Sequence, residues 1–272
     1  FPYHFLLYVQ RLIGGLGTFG IFNLLWKEER KTNFFLALLV TIYPGFLWWT
    51  GGFEFQAYVL SFSVAIFSIL FTLKAFQAVS KGKRFLWIVG AFLTGWAYLA
   101  LVEFAIGMEV FRFLALYLLI SRQETGAKFK ATLFAAIRSS ALFFLIPISF
   151  VVWYQFIFDN WRKAQDAGVQ LSQLISSPLA ALWAAIHFIQ SALNVTIFAW
   201  GTPFQQNYFS NRLTDLMIGL LFAVIVIAFL FIYNKYSETS SDQADDSKNL
   251  QWQKEAFWLG LVGLVGGVLP II

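Results

Sequence analysis

The chain has 272 residues, of which 59% are hydrophobic and 12% are charged, and its formal net charge is +5. Soluble domains carry roughly 25% charged residues, so a mean hydropathy of +0.70 indicates that lipid surrounds most of the chain. The sequence contains no cysteine, which excludes disulfides, thiolate metal sites and cysteine nucleophiles. Its basic residues form short clusters between apolar runs, a pattern typical of membrane orientation signals and not of nucleic-acid binding.

Long apolar runs predict about nine membrane-spanning helices, because a span needs about 20 such residues. The runs are continuous and do not alternate, so the predicted fold is an all-α, polytopic helical bundle and not a barrel. We treat residues 1–272 as a single transmembrane domain, and we expect a fragment truncated at both ends, since residue 1 is Phe and the last apolar run has no polar flank. The predicted spans cover residues 5–26, 34–50, 57–77, 85–102, 104–120, 139–158, 179–200, 213–233 and 256–272.

Clusters of lysine and arginine predict the orientation of the spans. Basic residues follow the first, third and fifth spans, at 27–31, 74–84 and 122–138, and these connections are therefore expected in the cytoplasm. The alternate connections, 51–56 and 102–104, contain no Lys or Arg and are expected outside. These features predict a multi-pass integral membrane protein, which we place in a prokaryotic plasma membrane.

Three further local patterns carry structural expectations. The long polar stretch at 234–256 is expected to be a flexible loop between spans. Pro147 is expected to break the sixth span. The glycines of GLVGG, residues 263–267, favour close helix packing.

The stretch VEFAIGMEVFR, residues 102–112, places three ionisable groups between long apolar runs. Glu109 and Arg112 are three residues apart, so they share a helix face and are expected to pair. Glu103 points elsewhere on an ideal helix, and a short hairpin would bring it to the outer membrane face. Charges at membrane depth face a bundle interior or a watery cavity, so the pair either fixes helix packing or binds a ligand.

A second candidate lies in the outer connection YPGFLWWTGGFEFQ, residues 43–56. Pro44 ends or kinks the helix, and two consecutive glycines allow a tight turn. Glu54 is the only charge of this loop and lies among aromatic residues, so it is a candidate for binding a sugar or a polar head group. The alternative is an ordinary interfacial turn. Glu54 and Glu103 are expected to open onto the same outer pocket.

The two histidines, His4 and His187, lie too far apart to give a metal-ligand spacing, and no metal site or cofactor is expected. His4 opens the first span at the outer face with Arg11 two turns further in, and both are candidate substrate contacts. His187 forms a polar stripe with Gln190 and Asn194. Such a stripe is more typical of interhelical hydrogen bonding than of catalysis.

Two stretches together resemble multi-spanning glycosyltransferases of the GT-C type. FPYHFLLYVQRL, residues 1–12, leads into a span, and YPGFLWWTGGFEFQAYVLSFSVAIFSILF, residues 43–71, gives an outer loop with proline, aromatic residues and glycine before the next span. VEFAIGMEVFR also resembles an E-[YF]-x-x-G-[LM]-E-x-x-R stretch in a family of uncharacterised prokaryotic membrane proteins with this layout. The resemblance covers about residues 1–160.

The resemblance implies an enzyme that transfers a sugar from a polyprenyl-phosphate donor on the outer side of the membrane. The catalytic acid of GT-C enzymes follows the first span, which implies a position before Phe1, so no catalytic residue is assigned. Trp48 stands near where a further family Glu is common. The arginines are suited to phosphate because a guanidinium binds it through two parallel hydrogen bonds. The candidate substrate-binding residues are Glu54, Glu103, Glu109, Arg112, His4 and Arg11.

Two other functions stay open at the level of sequence. A transporter or channel would favour intramembrane charges that face one another across a midplane cavity, together with broken helices in paired halves. A non-catalytic membrane scaffold is the third reading. The lipid bilayer is the expected partner and nucleic acid is not, while the sugar, the acceptor and the oligomeric state are not determined by the sequence.

Overall fold

The computed structural model describes residues 2–43, 56–123, 129–158, 177–201, 217, 221, 224–232 and 246–268. Every regular element in these ranges is a helix, so the all-α fold class is confirmed for the described residues. Residues 224–232 are helical as well. The elements are α1 (Pro2–Leu25), α2 (Arg30–Ile42), α3 (Gln56–Gln77), α4 (Lys81–Leu101), a 3-10 turn (Glu103–Gly107), α5 (Met108–Gln123), α6 (Phe129–Phe156), α7 (Pro178–Thr196), a second 3-10 turn (Phe198–Gly201) and α8 (Asp246–Val268).

Six of the described helices are long and apolar enough to cross a membrane. This supports a multi-pass integral membrane protein, while the predicted count of about nine spans is not confirmed. Each of the six overlaps one predicted span. Their bounds are Phe5–Leu25, Gln56–Gln77, Lys81–Leu101, Glu103–Arg122, Phe129–Phe156 and Pro178–Trp200.

The other three predicted spans are only partly described. The helix α2 has 13 residues, which at 1.5 Å per residue reach ~20 Å, short of a hydrocarbon core of ~30 Å. The rest of that predicted span, residues 44–50, lies outside the described residues, as do most of residues 213–223. The helix α8 has 23 residues, but its first turns are polar, and it is not among the helices that are apolar enough to cross a membrane.

The helix α3 lies at the centre of the bundle. In its most apolar stretch 61% of the residues are buried, against 22% for α4 and none for α7. It packs most extensively against α4 and α1 and also contacts α5. Its fully buried side chains include Ile69 and Leu73, while hydroxyl groups of Ser61, Ser68 and Thr72 are buried beside them. Any polar group that binds these hydroxyls therefore lies in the protein interior.

Glycines of α1 allow that helix to approach α3 closely. A Cβ atom on Gly14 would lie 2.7 Å from Ser63 Oγ, and one on Gly17 would lie 2.7 Å from Ile66 Cγ2. Small residues at a helix contact are typical of membrane bundles, where close packing replaces the hydrophobic drive between helices.

The predicted loop at 234–256 is partly wrong. The helix α8 begins at Asp246 and continues without interruption to Val268, so residues 246–256 are helical, while residues 234–245 lie outside the described residues. Tertiary contacts explain the difference, since Glu255 accepts a hydrogen bond from Trp26 Nε1 at 3.0 Å and also pairs with Arg122. Trp252 packs edge-on against Trp26 with ring centroids 6.4 Å apart.

The expectation that Pro147 breaks a span is also wrong. The helix α6 runs from Phe129 to Phe156 with Pro147 inside it. Such prolines are tolerated in membrane helices because neighbouring groups satisfy the freed backbone carbonyl. The expected packing role of the 263–267 glycines is confirmed, since a Cβ on Gly266 would lie 2.8 Å from Val110 Cβ.

The basic ends of the helices lie together. Glu255 contacts both Trp26, just after α1, and Arg122, in the last turn of α5. Residues at the end of α3, the start of α4 and the first half of α6 line one cavity. The structure therefore gathers the predicted cytoplasmic clusters at one end of the bundle, and we call this the basic end. The 3-10 turn at Glu103–Gly107 lies at the opposite end.

Candidate functional site

A cavity of about 460 Å³ opens beside Glu103 at the end of the bundle opposite the basic end. Four elements form its walls: the start of α3, the end of α4, the first 3-10 turn and the end of α6. The lining residues are Ala57, Tyr58, Leu99, Ala100, Leu101, Val102, Glu103, Phe104, Phe150, Trp153, Tyr154 and Phe158. We call this space the Glu103 cavity.

The backbone around Val102 places Glu103 at the rim of this cavity. The helix α4 ends at Leu101, and Val102 adopts an extended conformation with φ −147° and ψ 103°. The chain then forms a 3-10 turn, and α5 begins at Met108. This confirms the predicted hairpin without a polar loop. Because the connection is so short, Glu103 cannot move far from the ends of the two helices.

Glu103 is exposed and lines the cavity. Within the described part of the chain it forms no ion pair and no side-chain hydrogen bond. An ionised carboxylate has several acceptor sites and no donor. Glu103 is therefore free to accept hydrogen bonds from a ligand that carries hydroxyl groups.

Aromatic rings from the end of α6 form one wall of the Glu103 cavity. The rings of Trp153 and Phe158 lie 4.9 Å apart, and those of Tyr154 and Phe158 are stacked at 5.7 Å. Phe150 stacks on Tyr154 at 6.0 Å. Aromatic side chains of this kind present a rigid apolar face with polar tips, which suits the boundary between lipid and water.

The predicted pair of Glu109 and Arg112 is confirmed, and it lies inside the bundle. Arg112 Nη2 is 2.8 Å from Glu109 Oε1. The same guanidinium donates to Ser68 Oγ at 2.8 Å and to Thr72 Oγ1 at 2.7 Å. The hydroxyl of Tyr98 donates to Glu109 Oε1. The pair thus joins α3, α4 and α5 and does not line the Glu103 cavity.

Arg11 also binds protein groups. Its Nη2 atom donates to the backbone carbonyl of Thr41 at 2.9 Å and to that of Tyr43 at 3.3 Å. A cation here satisfies the free backbone carbonyls at the carboxyl end of α2. It also complements the negative end of the helix dipole. Arg11 is not among the residues that line the Glu103 cavity, so the structure does not bring it together with Glu103.

Two of the predicted site residues are not among the side chains that the structure describes. Glu54 and the side chain of His4 lie outside the described residues. Ala57 and Tyr58, three and four positions after Glu54, do line the Glu103 cavity. The expectation that Glu54 and Glu103 share a pocket stays a prediction.

The polar stripe on α7 does not take the predicted form. His187 is exposed, and its ring lies 6.0 Å from that of Trp183 on the same helix. In the described residues no side-chain hydrogen bond of His187, Gln190 or Asn194 reaches another helix. All three residues are exposed, and no residue in the most apolar stretch of α7 is buried.

Sequence reasoning missed the residues that surround Glu103 and the residues of α3 that bind Arg112. The cavity wall comes from the run FVVWYQFIF at 150–158, which in sequence reads as ordinary apolar span. The partners of Arg112 are Ser68 and Thr72, which are four residues apart and therefore share a helix face. The spacing of Ser68 and Thr72 can be read from the sequence. Their position opposite Arg112 cannot, because it depends on the packing of α3 against α5.

The described residues offer no evident metal site. No group of three or more His, Cys, Asp or Glu side chains that could hold a metal ion occurs within them. The described cavity offers hydrogen bonding by Glu103 and stacking on aromatic rings. Such a combination of apolar walls and a few placed polar groups is typical of small-molecule sites.

Comparison with protein-family models, with curated proteins and with solved structures gave no match. The resemblance to GT-C glycosyltransferases therefore stays a prediction. What bears on function is the geometry of the cavity itself.

Proposed function

We propose that the chain is the membrane-embedded part of a GT-C-type, glycosyltransferase-like protein, and that the Glu103 cavity receives the sugar of a polyprenyl-phosphate donor at the outer face. One observation carries the proposal. Glu103, which has no ion pair or side-chain hydrogen bond within the described residues, lines the same cavity as a set of aromatic residues at the non-basic end of the bundle. The proposal includes about nine spans in a prokaryotic plasma membrane.

The chemistry of a lipid-linked sugar matches these two features. Sugar hydroxyls donate hydrogen bonds to a carboxylate, and the apolar face of a sugar ring packs against an aromatic ring such as Trp153. A polyprenyl chain can lie along the apolar outer surface of α6, where Val151, Val152 and Phe156 are exposed. A soluble ion would make no use of the aromatic rings or of the apolar surface of α6.

The phosphate group has no assigned partner among the described residues. The described residues that line the cavity include no Lys or Arg, and both Arg11 and Arg112 already donate to protein groups. The proposal therefore gives Glu103 and the aromatic wall to the sugar. It assigns no catalytic residue.

Binding of a radiolabelled polyprenyl-phosphate hexose to the purified full-length protein in lipid nanodiscs tests this assignment. Glu103→Gln removes the charge and keeps the size of the side chain. Because a hydrogen bond to a charged group contributes about 1.5–3 kcal/mol, we expect affinity to fall at least about tenfold. Trp153→Ala should weaken binding as well by removing the stacking face.

Glu28→Gln is the matched control, since Glu28 is an exposed glutamate in the turn between α1 and α2 at the basic end. Its affinity should equal that of the unmodified protein. Polyprenyl phosphate without a sugar should bind Glu103→Gln and the unmodified protein equally. Unchanged hexose binding in Glu103→Gln would remove Glu103 from the site and contradict the proposal.

A further inference from the structure

A second cavity, of about 280 Å³, lies at the basic end of the bundle, between the end of α3, the start of α4 and the first half of α6. From its charge and walls we infer a site for the phosphate head group of an anionic phospholipid in the cytoplasmic leaflet. This inference does not depend on the proposed glycosyltransferase function. The lining residues are Ala75, Phe76, Arg84, Ile88, Arg138, Ser139, Leu142 and Phe143.

Two guanidinium groups from different helices face this cavity. Arg84 belongs to the first turn of α4 and Arg138 to α6, and both are exposed. Neither forms an ion pair or a side-chain hydrogen bond within the described residues. The described lining contains no carboxylate, so the positive charge of the cavity is not balanced from within it.

An anion is the ligand that such a pair of arginines favours. Two like charges beside a partly apolar cavity repel each other, and a bound anion reverses the sign of that interaction. The guanidinium fork matches phosphate oxygens through two parallel hydrogen bonds. The hydroxyl of Ser139, also in the lining, can donate a further bond. Phosphate therefore uses all three polar groups.

The apolar part of the lining distinguishes a lipid from free phosphate. Phe76, Ile88, Leu142 and Phe143 form the rest of the wall, and Leu142 is 42% exposed. A free inorganic phosphate makes no use of such a surface and would be partly desolvated by it. A phospholipid buries its glycerol and upper acyl chain there while its phosphate meets the arginines, so we commit to the lipid.

The surroundings of the cavity place it in a leaflet that contains such lipids. Lys81 and Lys83 are exposed in the first turn of α4, and Lys74 lies over the ring of Trp87 at 4.8 Å. Basic residues beside a membrane are attracted to the anionic cytoplasmic surface, and basic pockets between transmembrane helices bind anionic head groups. The lysines supply the general attraction, and the two arginines supply the specific site.

Native mass spectrometry of the full-length protein tests the site, with phosphatidylglycerol, phosphatidylcholine and inorganic phosphate as separate probes. We expect the unmodified protein to retain one phosphatidylglycerol more tightly than phosphatidylcholine. The double variant R84Q/R138Q should bind that lipid at least about tenfold more weakly, given two lost charge-assisted contacts. R84K/R138K keeps the positive charges but loses the guanidinium groups. Its affinity for phosphatidylglycerol should therefore lie between that of the unmodified protein and that of R84Q/R138Q.

The matched control is K81Q/K83Q, which removes the same charge from the same end without touching the cavity lining. It should retain phosphatidylglycerol within about twofold of the unmodified protein. Equal weakening in the lysine and arginine variants would show general surface attraction and overturn the site. Inorganic phosphate that binds as tightly as the lipid would overturn the lipid assignment. The two arginines and the two lysines are all exposed, so the variants should fold. Unchanged elution on size exclusion verifies that they do.

Discussion

Glu109 and Arg112 form a buried ion pair one helical turn apart on α5, with 2.8 Å between Oε1 and Nη2 and only 10% and 3% of their side chains exposed. The pair also joins three helices, because Arg112 donates to Ser68 and Thr72 of α3 while Tyr98 of α4 donates to Glu109. A buried pair is tolerated only when such additional hydrogen bonds offset the loss of water. The pair is therefore arranged to hold α3, α4 and α5 together.

The first prediction is that Arg112→Ala lowers the yield of folded protein more than the double change Glu109→Ala and Arg112→Ala. The single change leaves a buried carboxylate without its cation, which costs about 3–5 kcal/mol. The double change removes both charges, and the hydroxyls of Ser68 and Thr72 keep their bonds to the carbonyls of Ala91 and Ser68. Size exclusion of the protein extracted from membranes measures the folded fraction.

Tyr98→Phe is the control for this comparison. It removes one hydrogen bond to Glu109 and no charge, so we expect a loss of about 1 kcal/mol. If the single and double alanine variants gave equal folded fractions, the pairing would contribute nothing measurable to folding. A Tyr98→Phe effect as large as that of Arg112→Ala would mean that the hydrogen bond to Glu109, and not the charge of Arg112, governs the result.

The ion pair shows how far sequence reasoning reaches at a polar site. Spacing alone predicts that Glu109 and Arg112 meet, because both lie on one helix. Spacing cannot predict that Ser68, Thr72 and Tyr98 also hydrogen-bond to this pair, since these residues lie 11 to 44 positions away in sequence on other helices. It also cannot predict that Arg11 binds the end of α2 instead of a ligand, because that depends on where Thr41 lies after packing.

The second prediction concerns Gly95, where α4 meets α6. A Cβ atom at this position would lie 2.7 Å from Ile146 Cγ2 and 3.2 Å from Ser68 Oγ. Both neighbours are fully buried, with no exposed surface on either side chain. Gly95→Ala should therefore destabilise the protein by about 1–3 kcal/mol through overpacking. Thermal unfolding of the purified protein in detergent measures the change.

Gly260→Ala provides the matched control, because nothing lies within 4 Å of a Cβ built there. It should leave the unfolding temperature unchanged or raise it, since alanine favours helix over glycine. In the double variant with Ile146→Ala, the effects should be less than additive. Additive losses would show that Gly95 and Ile146 are not in energetic contact.

The third prediction concerns Glu255, which binds Arg122 and Trp26 and so ties the start of α8 to the ends of α5 and α1. Glu255→Gln keeps an acceptor for Trp26 but removes the ion pair. Because the side chain of Arg122 is 32% exposed, we expect a loss of only about 1 kcal/mol. Amide hydrogen exchange over residues 246–256 should then become roughly fivefold faster.

Lys254→Gln is the neighbouring control, since Lys254 is exposed on the same helix and has no partner in the described part of the chain. Its exchange rates should match those of the unmodified protein. Equal acceleration in both variants would indicate that any charge change loosens α8, and the tie through Glu255 would then be unsupported.

The same helix marks the limit of fold prediction from this sequence. The apolar runs identify the six helices that can cross a membrane, because length and hydropathy decide that property. The composition of residues 246–256 gives no such signal. The contacts of Trp252 and Glu255 with Trp26, and of Glu255 with Arg122, explain a helix there. Likewise the aromatic wall at Trp153 is indistinguishable in sequence from lipid-facing residues such as Val151 and Val152.

The last prediction is the orientation of the bundle, on which the placement of both cavities depends. The chain contains no cysteine, so single cysteines report cleanly on position. Gly82 lies at the basic end, and a Cβ there has no atom closer than 4.0 Å, while Glu103 is exposed at the opposite end. We expect Gly82→Cys to react with a membrane-impermeant thiol reagent only from the cytoplasmic side and Glu103→Cys only from outside.

Sealed vesicles of both orientations give the measurement, and the unmodified protein supplies the zero-labelling background. Gly52→Cys, in the outer connection predicted from sequence, should label together with Glu103→Cys. The physical reason is the asymmetry of Lys and Arg, which keeps positively charged connections in the cytoplasm. Labelling of Gly82→Cys and Glu103→Cys from one side would mean that the hairpin after α4 does not reach the far face. Labelling of Glu103→Cys from the cytoplasm alone would place the Glu103 cavity on the cytoplasmic side, where GT-C enzymes do not use their lipid-linked sugar donor. It would also place the cavity of Arg84 and Arg138 on the outer side, away from the anionic leaflet.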